Sequence, residues 1–273
     1  MITSPFVDRL ALSTGSGALE PAFEFAAANG IGWLEFACQE PANQPHTFDA
    51  QRIKGVRTLM DNYGISGVLH SASSVNVAEI VPSVRDAVDG HVRDYLNLAH
   101  ELNCETVIVH AGFHFGLDHT ERFAALRLTL ENAARTAEKL GLKLVLENMN
   151  VLPVEAEIRY LGCTFEEVAE ILDAIDSPTL TSCVDIGHAH LLPEGAVNFI
   201  SRLDGRLGHV QLTDNGGVFD DHLAIGDGTL PMPAIIAALD AAGYGGPIAI
   251  ELSDRDAQLR SLASIRAGVA ASV

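Results

Sequence analysis

A (β/α)8 barrel is the fold this sequence predicts. Three observations carry the prediction. Eight short apolar runs alternate with helical stretches along 273 residues. The runs are aliphatic at successive positions, the pattern of parallel strands buried on both faces. No GxGxxG turn follows the first run, where an open doubly wound sheet usually carries one; "STGSGALE" has a GxG and no third glycine in register. Eight such units in this length fit one closed barrel, expected as a single domain over residues 1–273.

Each element has a local reason. "LALST" (10–14) is the first strand, and "LEPAFEFAAANG" the helix after it. "GWLEFA" (32–37) is the second, followed by "FDAQRIKGVRTLMDNYG". Between them lies "CQEPANQPHTFD", whose prolines and polar residues predict a loop and a candidate lid. "SGVLHSA" (66–72) and "ETVIVHAG" (105–112) are strands three and four, and "RFAALRLTLENAARTAEKLG" is the helix after the fourth. "KLVLENM" (143–149) is the fifth. Thr164 and Glu167 then have the spacing of a capping box opening the next helix. "LTSCVDIG" (180–187), "LGHVQLTD" (207–214) and "PIAIELS" (247–253) complete the set, with a last helix over 256–271. Gly30, Gly64 and Gly141 follow helical patterns, where a left-handed C-cap is expected.

The composition narrows the function. At 48% hydrophobic the chain can bury a large core without disulfide or metal staples. Aromatics are only 6%, so alanine, leucine and valine do most of the packing. The formal charge of -19 argues against gripping a polyanion, since phosphate binding draws on lysine and arginine. Nucleic acid is therefore not an expected partner. The four cysteines show no CxxC pair, and a reduced cytoplasmic protein is the simplest account. The opening residues lack a signal-peptide pattern, and no apolar run approaches the length of a membrane helix.

Polar residues fall at the strand ends. His70, His110, Glu147, Asp185, His209 and Glu251 lie at or near the ends of strands three to eight. His188 follows Asp185 in "VDIGHAH", and Asp220 and His222 follow strand seven. In a (β/α)8 barrel the C-terminal strand ends surround one mouth, where such enzymes do their chemistry. A lone strand-end histidine is more often a hydrogen-bonded structural residue. Glu147 and Glu251 are harder to dismiss, because each ends an aliphatic run ("LVLE", "IAIE") and an unpaired buried carboxylate is costly. A cation at the mouth would compensate both. Histidine with carboxylate oxygen suits divalent ions such as zinc, manganese or cobalt.

"LHSASSVN" (69–76), "VIVHAGFH" (107–114), "LVLENMN" (144–150), "CVDIGHAH" (183–190), "GHVQLTDN" (208–215), "DDHLAIGDG" (220–228) and "IAIELS" (248–253) together resemble the xylose isomerase-like TIM-barrel superfamily. The resemblance covers nearly the whole chain. It implies a divalent-metal-dependent isomerase or epimerase acting on a sugar, sugar phosphate or polyol. In that branch one metal is held at the positions of Glu147, Asp185, His209 and Glu251. Glu147 and Glu251 are then the proton-transfer pair, working through a metal-stabilised enediolate, and His188 touches a substrate hydroxyl. The ion is expected to be zinc, manganese, cobalt or magnesium. An inosose-type dehydratase on the same scaffold is an alternative.

Endonuclease IV is the rival in the same superfamily. The resemblance to it implies up to three zinc ions, a reading that adds His70, His110, His188, Asp220 and His222 to the ligands. Three features weigh against repair of abasic DNA. The charge shows no phosphate-binding surface. Ser73 and Ser74 stand where that enzyme carries bulky residues that wedge into the stack. Asp220-x-His222 and "IGDG" recur in sugar-handling members.

Weaker candidates complete the reading. Glu35 faces the mouth, to orient a ligand or to pair within the barrel. His114 and His119 are candidate substrate contacts on the loop after strand four. Asn148 and Asn150 are candidate partners for sugar hydroxyls. His190 is expected to point away, Trp33 to pack the barrel, and Cys183 to be a small core residue.

Overall fold

The computed structural model describes residues 4–270. Eight parallel strands close into a barrel: β1 (Leu10–Ser13), β2 (Trp33–Ala37), β3 (Ser66–His70), β4 (Thr106–His110), β5 (Lys143–Glu147), β6 (Leu180–Asp185), β7 (Leu207–Leu212) and β8 (Ile248–Ile250). Each strand lies beside its neighbours in the chain, and β8 closes against β1. The eight runs read from the sequence are these eight strands. Several stop earlier than their aliphatic pattern, because the chain turns away once it has delivered its polar residue to the rim.

A helix follows every strand: α1 (Pro21–Ala28), α2 (Ala50–Tyr63), α3 (Pro82–Leu102), α4 (His119–Leu140), α5 (Phe165–Ile175), α6 (Gly195–Arg202), α7 (Met232–Ala241) and α8 (Arg255–Ala270). The expected end of the last helix at position 271 lies outside the described residues. Gly64 and Gly141 adopt the left-handed cap, at φ 62° and 71°. The capping box is half formed: Thr164 accepts from the Glu167 amide, but Glu167 accepts from Cys163 N, one residue before the expected partner. None of the described helices is long and apolar enough to cross a membrane.

Most of the core lies between barrel and helices. A second, small apolar cluster fills the barrel itself: Val68, Ile108, Val145 and Cys183, with Trp33 against them. Trp33 and Cys183 thus pack the interior, as expected. This floor determines where the site sits. Side chains alternate along a strand, so two residues further on each chain points inward again. Those residues are Glu35, His70, His110, Glu147 and Asp185. The apolar floor carries a polar collar one pleat above it, at the C-terminal end.

His209 reaches the interior through an irregularity. Ser182 pairs with Leu207, but Cys183 pairs with His209, leaving Gly208 as an extra residue in β7. Such a bulge re-aims the side chain after it. Only glycine fits: a Cβ there would come within 2.1 Å of Thr181 Oγ1 and 2.8 Å of Val145 Cγ1.

Candidate metal centre and active site

The collar residues meet at hydrogen-bonding and ion-pair distances. His70 Nε2 and His110 Nε2 each lie 3.2 Å from Glu147 Oε2. His70 Nε2 is also 3.8 Å from Glu251 Oε1, so one imidazole nitrogen stands between the two glutamates. Among the described residues, four groups of ligand atoms lie close enough together to hold a cation: His70–His110–Glu147, Glu147–Asp185–His188, Glu35–His70–Glu251 and His188–Asp220–His222. The groups share members and form one continuous chain of ligands.

Short-range structure aims each of them. Asp185 caps the short helix Ile186–His190, its Oδ1 accepting from His188 N at 2.8 Å. That turn brings His188 back over the rim, where its Nε2 lies 3.2 Å from Asp220 Oδ2. His190 faces the other way, 2.9 Å from Thr229 Oγ1. Asp214 gathers the loop after β7, accepting from the amides of Asn215, Gly226 and Leu230. The "IGDG" motif is therefore a loop clasp: a Cβ on Gly228 would clash with Asp214 at 2.3 Å. Within that loop His222 takes a left-handed backbone, φ 47°, and its Nε2 meets Asp220 Oδ2 at 3.2 Å.

Several placements refine or change the expectations. His209 belongs to none of the four groups. Its Nε2 is drawn 2.9 Å to Glu35 Oε2, and Gln211 Nε2 donates to the other oxygen of Glu35 at 3.2 Å. Glu35 thus pairs within the barrel, with His209 and Gln211. Asn148 is not placed to bind a sugar. It is fully buried, its Oδ1 accepting from Asp185 N and its Nδ2 donating to Asp185 O. Its own carbonyl also lies 2.8 Å from His188 Nδ1, so it positions both neighbours. His114 is buried in an antiparallel pair formed by 113–114 and 159–160, which the sequence did not predict. Its ring accepts from Gly116 N and packs against His119, which engages Glu167. The loop after β2 is a pinned wall rather than a lid. Buried Asn43 donates to Gly17 O and Ala37 O, while Arg52 reaches Ala42 O, Thr47 and Asn43.

Removing the Asn148 side chain should therefore loosen Asp185 and not a substrate. Asn148→Ala is expected to weaken metal binding about 10- to 100-fold, the usual cost of losing a ligand's support. Calorimetric manganese titration of the variant checks this.

The electrostatics divide the two glutamates. Burial would raise the Glu147 carboxyl, but the neighbouring charges and hydrogen bonds of His110 and His70 outweigh it and hold Glu147 well below its usual range. Glu251 moves the opposite way, pushed well up by burial and by the charges of Glu147, Glu35 and Asp185. Burial works against a charged His70, yet its bond to Glu147 and the charges of Glu147 and Glu35 lift it to about 9. His188 rises to about 10, since the charge of Asp185 and the bond to Asp220 outweigh its burial. His222 is raised to about 9, chiefly by its bond to Asp220.

Two buried atoms test whether a cation fits. Asp185 Oδ2 and His209 Nδ1 are out of solvent and have no hydrogen-bond partner among the described residues. In the tautomer that donates from Nε2 to Glu35, Nδ1 is the bare nitrogen of the ring. An unpartnered carboxylate oxygen and an unpartnered imidazole lone pair are costly to bury. A divalent cation satisfies both, and the donor set suits it.

Fold and site together define a (β/α)8 barrel with a histidine–carboxylate centre at its C-terminal mouth. The chain belongs to the family of xylose isomerase-like TIM barrels, whose pattern matches residues 23–270. An uncharacterized protein of Methanocaldococcus jannaschii is 32% identical over 242 residues, 86% of this chain and 79% of that one. Fructoselysine 3-epimerase of Escherichia coli O157:H7 is 26% identical over 86% of this chain and 85% of its own. A crystal structure described as a D-tagatose 3-epimerase-like protein superposes with a TM-score of 0.85 at 29% identity, covering 97% of this chain and 99% of that one.

Proposed function

We propose that this protein is a divalent-metal-dependent sugar isomerase or epimerase. The carrying observation is the pair Glu147 and Glu251, on either side of His70 Nε2 at 3.2 and 3.8 Å. Two carboxyls so placed can serve as base and acid of one reaction. A bound divalent cation would polarise the carbonyl and hydroxyl oxygens of the substrate and acidify the C–H between them. Glu147, Asp185, His209 and Glu251 would hold it. One of the two glutamates, as carboxylate, removes the proton from its face; the other, once protonated, delivers one to the opposite face. Their roles exchange in the reverse direction. His188 binds a substrate hydroxyl through Nε2, held in place by Asn148. The resemblance to fructoselysine and tagatose epimerases supports the same reading.

The test is isotope exchange. The manganese-loaded protein is incubated in D₂O with a panel of ketoses, and carbon-bound deuterium is followed by NMR. Exchange and epimerisation of at least one member are expected. No exchange across the panel would sink the reading.

One observation favours a second reading, a zinc-dependent AP endonuclease. The residues of the three-zinc resemblance, His209 apart, fall in groups linked through His70, Glu147 and His188. Ser73 and Ser74 are exposed and small, and offer no wedge for DNA. Three tightly bound zincs with nicking of an abasic duplex would favour the endonuclease.

A further inference from the structure

Carboxylates outnumber lysine and arginine 36 to 17 in this chain, so a cation without a carboxylate partner is the exception. Arg93, Arg135 and Lys139 are three such exceptions. They line one cavity of about 340 Å³ between α3 and α4, on the outer ring of helices. Arg93 and Lys139 have no hydrogen-bond or ion-pair partner among the described residues. Arg135 donates only to Asn132 Oδ1. The single carboxylate of the lining, Asp89, accepts from Asn132 Nδ2 at 2.7 Å. The Asn132 amide thus stands between Arg135 and Asp89 and takes the place of an ion pair. Thr129 also lines the cavity at 3% exposure. Its hydroxyl has no partner among the described residues, whereas that of Thr136 is spent on Asn132 O.

Three cations against one carboxylate leave the lining two positive charges in excess. The other carboxylates on these stretches of the two helices, Asp86, Asp94, Glu131 and Glu138, do not line it. A phosphate monoester carries about -1.5 to -2 at neutral pH and brings strong acceptor oxygens. Guanidinium forks match those oxygens two at a time, and the Lys139 ammonium and the Thr129 hydroxyl add donors. Small-molecule sites run from about 300 Å³ upward, so the cavity has room for the carbon skeleton of an ester as well as its phosphate. The second oxygen of Asp89 is left to accept from a hydroxyl on that skeleton. The acidity of the whole chain does not oppose this. Charges farther off than about 8 Å are largely screened at physiological ionic strength, so a single dianionic group meets the local cations.

We propose that this cavity binds the phosphate monoester of a small hydroxylated molecule, with Arg93, Arg135 and Lys139 on the phosphate. The site is separate from the barrel mouth and does not rest on the reaction proposed there. Glycerol 3-phosphate, inorganic phosphate and glycerol are titrated calorimetrically into the manganese-loaded protein. Glycerol 3-phosphate is expected to bind at one site, more tightly than inorganic phosphate, while glycerol gives no heat of binding at the same concentrations. Arg93→Gln and Lys139→Gln should each weaken the ester about tenfold, the usual cost of one hydrogen bond to a charged group. Both residues are exposed, and melting curves confirm that the variants fold. Glu251→Gln, at the mouth, should bind the ester as the parent does. No binding of glycerol 3-phosphate at millimolar concentrations would overturn the proposal. So would equal or tighter binding of inorganic phosphate, or unchanged affinity in Arg93→Gln and Lys139→Gln. Binding lost in Glu251→Gln would move the ester to the mouth and overturn it as well.

Discussion

Glu251→Gln is expected to lower the rate of epimerisation about 10³-fold or more, within the range that general acid–base groups contribute. Glutamine keeps the shape and one oxygen for a cation but cannot carry the proton. Glu147→Gln should cost at least as much, because it also leaves His70 and His110 without their shared carboxylate. A structural role would lower every step together. A two-base role makes a sharper prediction. Glu251→Gln should still exchange deuterium into the epimer whose C–H faces Glu147, and Glu147→Gln into the other. Each variant should lose conversion between the epimers. Metal content, measured alongside, separates loss of the ion from loss of the base. A variant that retains a tenth of the parent epimerisation rate would remove its residue from the proton path.

The eight strands were legible because each carries an aliphatic run set between helical patterns, three of which end at Gly30, Gly64 and Gly141. The collar was legible by alternation: the residue two beyond Val68, Ile108, Val145 and Cys183 is in each case histidine, glutamate or aspartate. Contacts between distant positions were not. Glu35 lies 174 residues from His209, and nothing in "WLEF" announces the imidazole it holds. Asn148 looks like a sugar-binding amide until the backbone of Asp185, 37 residues away, is seen to occupy both ends of its side chain. The bulge at Gly208 depends on pairing with β6, and a single glycine in a strand does not reveal its register.

The metal-free protein is expected to be most stable in mildly acidic solution and to weaken as the pH rises. His70, His188 and His222 are raised from 6.5 to about 9, 10 and 9. A group whose proton is held more tightly in the folded chain stabilises it fully below the unfolded pKa. That contribution fades from about pH 6.5 and is gone once the folded values are passed. For buried His70 the shift corresponds to roughly 3 kcal/mol. Glu251, also raised, adds to the loss above its unfolded value of 4.5. Glu147, lowered by its histidines, acts in the opposite sense and withdraws its support as the pH falls through and below 4.5. Between these limits the imidazolium protons stand in for a cation. Manganese should take their place, releasing protons as it binds and gaining affinity as the pH rises. Melting curves from pH 5 to 9.5, with chelator and with manganese, check this. The chelated protein should lose roughly 5–10 °C between pH 6.5 and 9.5, from the usual few degrees per kcal/mol at this size. The loaded protein should lose much less. Equal melting temperatures for the chelated protein at both ends would show that these histidines do not carry the charge that the carboxylates require.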